Sequence, residues 1–213
     1  MTDLHTATTL KYRNTFQALV DAGALVVVNH SGGKDSQAMY ALIKSLVPHD
    51  QIAVVHADLG NIEWAGVQDH IRATVEHPLH VAHAVYKDGP DKTLLDMVER
   101  RHEKLVAEGK DTNPWPDSGS RYCTSDLKRG PCEKVIRRLS EETGRKLIVN
   151  CFGFRAEESD QRAKRPTWAF NKRLSKAGRR AWDFSPIHDL KVGEVFSLIA
   201  SVGQKAHWAY ADG

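Results

Sequence analysis

An unbroken apolar row, Ala24-Leu25-Val26-Val27-Val28, is followed after two intervening residues by Ser31-Gly32-Gly33-Lys34-Asp35-Ser36 and then by a helical stretch from Gln37 to Leu46. A continuous β-branched row predicts a strand covered on both faces, the usual state of a strand inside a parallel sheet. Met39, Leu42, Ile43 and Leu46 share one side of the helix that follows. Strand, glycine loop and helix in direct succession commit the chain to an α/β architecture.

The pattern then repeats. Ile52 to His56 reads as a second strand, Glu63 to Val75 as its helix, Leu79 to Val85 as a third strand and Thr93 to Glu108 as a charged surface helix. A helix near Cys132 to Glu142 precedes a further buried strand at Lys146 to Phe152. Upstream, Thr8 or Thr9 is the expected cap of a first helix that stops at Gly23. Downstream, Trp182 to Ile187 reads as extended, and a last helix places Val192, Val195, Phe196 and Ile199 at core spacing. Alternating strands and helices predict a doubly wound, mainly parallel sheet with helices on both faces.

At 213 residues the chain has room for one such domain, expected over positions 1–213. The aromatic run His207-Trp208-Ala209-Tyr210 just before the end suggests a trimmed C-terminus. No apolar run approaches the roughly 20 residues that span a bilayer, and the first residues lack a signal pattern, so a cytoplasmic location is expected. Cys123, Cys132 and Cys151 form no CxxC pair and predict neither a disulfide framework nor a complete zinc site. The eleven histidines make no HExxH or HxxxH pattern.

The loop carries chemistry of its own. Glycines let the backbone turn tightly beside a ligand, and the free N–H groups and positive dipole end of the next helix attract an anion. Lys34 adds a mobile positive charge, Ser31 and Ser36 add hydroxyls, and Asp35 is a carboxylate able to hold Mg²⁺. Asp35 directly after Lys34 departs from the Walker P-loop, and the glycine spacing departs from the dinucleotide fingerprint.

Three later segments join it: His56-Ala57-Asp58-Leu59-Gly60 with Glu63, Gly153-Phe154-Arg155-Ala156-Glu157-Glu158-Ser159 with Arg162, and Phe184-Ser185-Pro186-Ile187. In order and spacing, from Val26 to Leu198, they resemble the PP-loop superfamily of ATP pyrophosphatases. More narrowly they resemble the phosphoadenosine phosphosulfate (PAPS) reductase family, with its adenine nucleotide alpha hydrolase-like fold. The resemblance implies binding of ATP, or of PAPS, by Ser31, Gly32, Gly33, Lys34, Asp35, Ser36, Asp58, Gly60, Arg155 and Arg162. It also implies Mg²⁺ at Asp35 or Asp58, and Lys34, Asp35 and Arg155 as the catalytic groups. The implied reaction is attack of a sulfur-containing or oxyanion acceptor on the α-phosphorus of ATP with release of pyrophosphate. An oligomer is expected.

Two departures separate the chain from a thioredoxin-dependent PAPS reductase: Lys34 and Asp35 are both kept, and the family's Glu-Cys-Gly cysteine near the C-terminus is missing. That reductase is the alternative enzyme, and a non-catalytic nucleotide-binding subunit of a DNA- or RNA-modification assembly is the alternative outside catalysis. Cys123, between Arg121 and Lys128, stands where relatives carry a cysteine used in sulfur chemistry or as an iron–sulfur ligand; a cluster would need ligands outside this segment. From Gln161 to Trp182 there is no acid, while eight basic residues alternate with Trp168 and Phe170. Residues 162–180 are therefore read as a lid over the nucleotide, loosely ordered before closure, as a nucleic-acid contact, or as a solvated loop.

Overall fold

The computed structural model describes residues 6–87, 89–117, 119–176 and 178–210. The expectations about the two ends of the chain, at residues 1–5 and 211–213, lie outside them. Six strands form one sheet in the order β3-β2-β1-β4-β6-β5: β1 (Leu25–Asn29), β2 (Ile52–Ala57), β3 (Leu79–Ala82), β4 (Leu147–Cys151), β5 (Trp168–Phe170) and β6 (Arg180–Phe184). Every pairing is parallel except β5 with β6. The chain runs outward from β1 to β2 and β3, then returns to place β4 on the other side of β1, so the switch point of the winding lies between β1 and β4.

Side-chain alternation along the strands divides the core in two. Val26, Val28, Val54 and Val149 face a layer made by α1 (Ala7–Asp21), α2 (Lys34–Leu46), α3 (Val67–Thr74) and α7 (Val192–Ser201). Leu25, Val27, Val55 and Ile148 face α5 (Gly130–Glu142), which supplies Cys132, Ile136 and Leu139. Helices therefore cover both faces, as the continuous apolar rows predict. Helix α4 (Leu94–Ala107) buries only Val98, consistent with a charged surface helix. Among the described residues no helix is long and apolar enough to cross a membrane.

Several expectations need correction. Helix α1 is capped by Thr6, not Thr8 or Thr9: Thr6 and Thr9 form a reciprocal capping box, and the Thr6 hydroxyl also donates to Pro186 O at 2.6 Å. Helix α2 starts at Lys34, one turn earlier than read, and α3 is shorter, because Gly66 sits at φ 78° and stops the helix extending back to Glu63. On α7, Val195 and Ile199 are buried while Val192 and Phe196 are exposed. The largest difference concerns the described residues of 162–180, which do not form a loose lid. Trp168 to Phe170 is an edge strand, Leu174 is wholly buried, and the Trp168 ring stacks on Tyr12 at 5.6 Å and meets Phe184 edge-on at 4.9 Å. Part of the basic charge is already matched: Arg173 forks onto buried Glu133 at 2.8 and 2.9 Å, Arg162 reaches Glu158 at 2.7 Å and Arg179 approaches Glu141 at 3.8 Å.

Candidate functional site

Strand β1 delivers the chain into the loop through His30, and α2 begins at Lys34 with Gly33 as its N-cap and no side chain capping it. Gly33 itself offers no side chain to cap the first amides of α2, an arrangement that suits anions. Gly32 adopts φ 78°, and a Cβ there would lie 2.7 Å from Val67 at the start of α3, so both conformation and space demand glycine. Ser36 holds the turn from inside. Its hydroxyl donates to Gly33 O at 2.8 Å and accepts the Ser31 N–H at 3.1 Å.

Lys34 and Asp35 stand at the mouth of the helix. Lys34 Nζ is 3.1 Å from Asp35 Oδ2, and the other carboxylate oxygen accepts Arg155 Nε at 2.5 Å. Arg155 is buried, with its Nη1 donating to Glu157 at 2.6 Å, and Glu157 accepts the Val192 N–H that opens α7. Burial works against the guanidinium charge, but the hydrogen bonds it donates to Asp35 and Glu157 outweigh it and raise its pKa. The G-x-R segment thus reaches the loop through an ion pair and through Gly153. A Cβ on Gly153 would fall 3.0 Å from the backbone of Asp35 and Ser36, so only glycine lets the turn after β4 lie against the first turn of α2.

Asp58 closes the other side. Its oxygens accept the Gly60 N–H at 2.7 Å and the Gln68 amide at 3.1 Å, and it lines an open cleft of about 550 Å³ bounded also by Glu63, Trp64, Val67 and Arg72. Val67 of this cleft is the residue that abuts Gly32, so cleft and loop share a wall. Arg162 lies further out, over the Phe154 ring at 4.6 Å. Cys123 is partly exposed beside a π-helical turn, Thr124–Arg129, that leads into α5. Burial pushes the Cys132 thiol up to about 12 and raises Cys151 as well, so both are inert at neutral pH. Among the described residues no group of three or more His, Cys, Asp or Glu could hold a metal ion, and the carboxylates of Asp35 and Asp58 are already engaged.

Two participants carry no motif. Tyr210, from the aromatic run near the C-terminus, lies over the loop: its hydroxyl accepts the Lys34 N–H at 3.4 Å, and Lys34 Nζ sits 4.9 Å from its ring centre. His207 and Trp208 brace the same segment against His70 and Trp64, at 5.0 and 5.6 Å. His30 is the second. Its Nδ1 accepts the Gly32 N–H at 3.1 Å, while Nε2 is buried without a partner among the described residues. A histidine closing a buried strand directly before a glycine loop was the available signal.

Burial, with His56 and His70 nearby, pushes the His30 pKa down to about 3 from the ordinary 6.5. The ring is therefore neutral in the folded protein, whereas the unfolded chain takes up a proton as the pH falls through 6.5. Stability contributed by this residue is complete above about pH 7 and declines steadily toward pH 3. Between pH 7 and pH 5 the wild type should lose about 2 kcal/mol more than His30→Gln does. Urea unfolding of both proteins at the two pH values measures the difference, and equal losses would mean that the ring is not held neutral.

A family model described as the phosphoadenosine phosphosulfate reductase domain matches residues 25–213. No match is found among curated proteins. Of solved structures, the chain is similar to the phosphoadenylyl-sulfate (PAPS) reductase of Candida auris in its phosphate complex, at 12% identity over 93% of this chain and 83% of that one, with a TM-score of 0.54. The FMN adenylyltransferase of Candida glabrata in complex with ATP matches at 14% identity over 92% of this chain and 52% of that one, with a TM-score of 0.46. At 12% identity the likeness to the Candida auris reductase speaks for the fold alone. The family model runs from the first residue of β1 through the phosphate loop, the G-x-R turn and the aromatic run that covers Lys34, and on that match the chain belongs to the phosphoadenosine phosphosulfate reductase domain family.

Proposed function

We propose that the chain is a cytoplasmic enzyme that binds ATP at Ser31–Ser36 and cleaves it at the α-phosphate, passing the adenylyl group to an oxyanion acceptor and releasing pyrophosphate. The observation that carries this reading is the start of α2, where Gly33 brings no capping side chain and only the Tyr210 hydroxyl approaches, at 3.4 Å from the Lys34 N–H, with Lys34 at its mouth. A triphosphate brings more negative charge than a single sulfate or phosphate, and a lysine added to a helix N-terminus answers that charge.

In this reading the amides of Lys34, Asp35 and Ser36 receive oxygens of the two terminal phosphates. Lys34 Nζ leaves Asp35 to follow the charge that grows on the departing pyrophosphate. Asp35 and Arg155 hold the loop rather than the substrate, since Arg155 is enclosed by Asp35, Glu157 and Leu190 O. The nucleoside occupies the cleft beside Asp58, whose volume falls within the roughly 300–1,000 Å³ of small-ligand sites. No side-chain nucleophile takes part. The backbone donors, fixed before the reaction, and the charge of Lys34 are the source of rate.

Calorimetry with ATP, a non-hydrolysable ATP analogue and adenosine 3′,5′-bisphosphate tests the assignment. Both triphosphates should bind at least about tenfold tighter than the bisphosphate. The reverse order would replace this reading with a PAPS-type pocket, the reductase alternative, for which the family match is the support.

A further inference from the structure

Under α5 the apolar rows of the sheet end in a polar one. Leu25 and Val27, Ile148 and Ala181 pack in that layer, but the next inward position toward the carboxyl ends of three neighbouring strands carries Asn29, Asn150 and Asp183. They are joined in a ladder. Asn29 Nδ2 donates to Asn150 Oδ1 at 2.7 Å, and Asn150 Nδ2 donates to Asp183 Oδ1 at 2.9 Å. Asn171, between β5 and β6, donates to that same oxygen at 2.8 Å. Two amides and a carboxylate add little net stability where aliphatic side chains would pack, and the carboxyl edge of such a sheet is where ligands collect.

The ladder fixes one oxygen of Asp183 and leaves the other without a hydrogen-bond partner among the described residues. Asp183 lines a cavity of about 100 Å³ whose other walls include Phe152, Phe154, Arg165 and Ser185. The Arg165 guanidinium lies 4.5 Å over the Phe154 ring and has no carboxylate within 4 Å among the described residues. Phe152 and Phe154 flank Gly153, the residue pressed against Asp35 and Ser36, so the cavity adjoins the phosphate loop.

We propose that this cavity is the acceptor subsite and that it takes a small α-amino acid as its zwitterion, with the ammonium on Asp183 and the carboxylate on Arg165. The two opposite charges decide the class. A phosphate or sulfate ion would be repelled by Asp183, and a simple amine would be repelled by Arg165. The volume is well under the roughly 300 Å³ at which small-ligand sites begin, so a nucleoside does not fit. The next step rests on the adenylation reading: an acceptor carboxylate oxygen forms a bond to the α-phosphorus, the bond from phosphorus to the bridging oxygen breaks, and pyrophosphate leaves with the electron pair. No proton moves.

The test is calorimetry on the full chain, with and without the non-hydrolysable ATP analogue, using glycine, L-serine and L-cysteine against propionate, ethylammonium and inorganic phosphate. At least one zwitterion should saturate, and the three single-function probes should bind at least about tenfold more weakly. Asp183→Asn keeps an oxygen for both asparagines and removes the charge, and Arg165→Ala removes an exposed guanidinium. Each should weaken the zwitterion at least about tenfold while ATP affinity and melting temperature stay unchanged. Failure of all three amino acids under both conditions, preferential binding of phosphate, or unchanged affinity in Asp183→Asn overturns the proposal. ATP titration and pyrophosphate release in the same samples separate the two readings, because ATP cleavage without amino-acid binding removes only the subsite.

Discussion

Lys34→Ala should lower ATP turnover by about 10²- to 10³-fold, the cost of removing one donor from the charge developing on a leaving group. Folding should hardly change. Lys34 contacts the single carboxylate of Asp35, which Arg155 also holds, and otherwise lies 4.9 Å from the Tyr210 ring. Contacts of that kind contribute about 1 kcal/mol or less at a partly exposed site. Pyrophosphate release and a thermal melt on the same preparation measure both quantities. Unchanged turnover would end the assignment of this loop as the reaction site, and a collapsed melt would make Lys34 a structural residue.

Arg155→Ala should show the opposite balance, losing stability first. The side chain is 5% exposed and is shared by Asp35 and Glu157, so its removal strands carboxylates that the fold has brought together. Breaking a buried pair costs roughly 3–5 kcal/mol, and the lower figure applies because Glu157 is 36% exposed and can recover water. A loss of about 3 kcal/mol corresponds to a melting point lower by roughly 6–12 °C in a chain of this size. Arg155→Lys should recover only part of it, since an ammonium cannot fork between Asp35 and Glu157. Urea unfolding gives the numbers. A neutral result would mean that the arginine is free to meet substrate and belongs with the catalytic groups.

The parts of this fold that were legible were those written as local pattern. A central parallel strand must be apolar on both faces, so β1, β2 and β4 announced themselves, and the glycines marked where backbone approaches backbone. Strand β5 was hidden because three residues at a sheet edge, set in a basic stretch, carry too little alternation to outweigh their charge. The Thr6 cap was missed because two better placed threonines followed it, and its second bond, to Pro186, comes from the far end of the chain. The place of the loop between β1 and α2 could be read directly. The contacts of its neighbours could not: no spacing announces that Arg155 is held between Asp35 and Glu157. His30 and Tyr210 belong to no spacing rule. One acts through burial, the other through a fold-back of the C-terminal segment onto α2.

The placement of β4 beside β1 also sets an order of events during synthesis. Asn29 and its ladder partner Asn150 are 121 residues apart, so at roughly 5–20 residues per second β1 waits about 6–24 s for its second neighbour. Throughout that interval the nascent chain has β1, β2 and β3 with one bare edge on its most apolar strand. Bare apolar edges recruit other chains. The phosphate loop, which needs Gly153 and Arg155 at its back, likewise waits for β4 and the turn after it before it is complete.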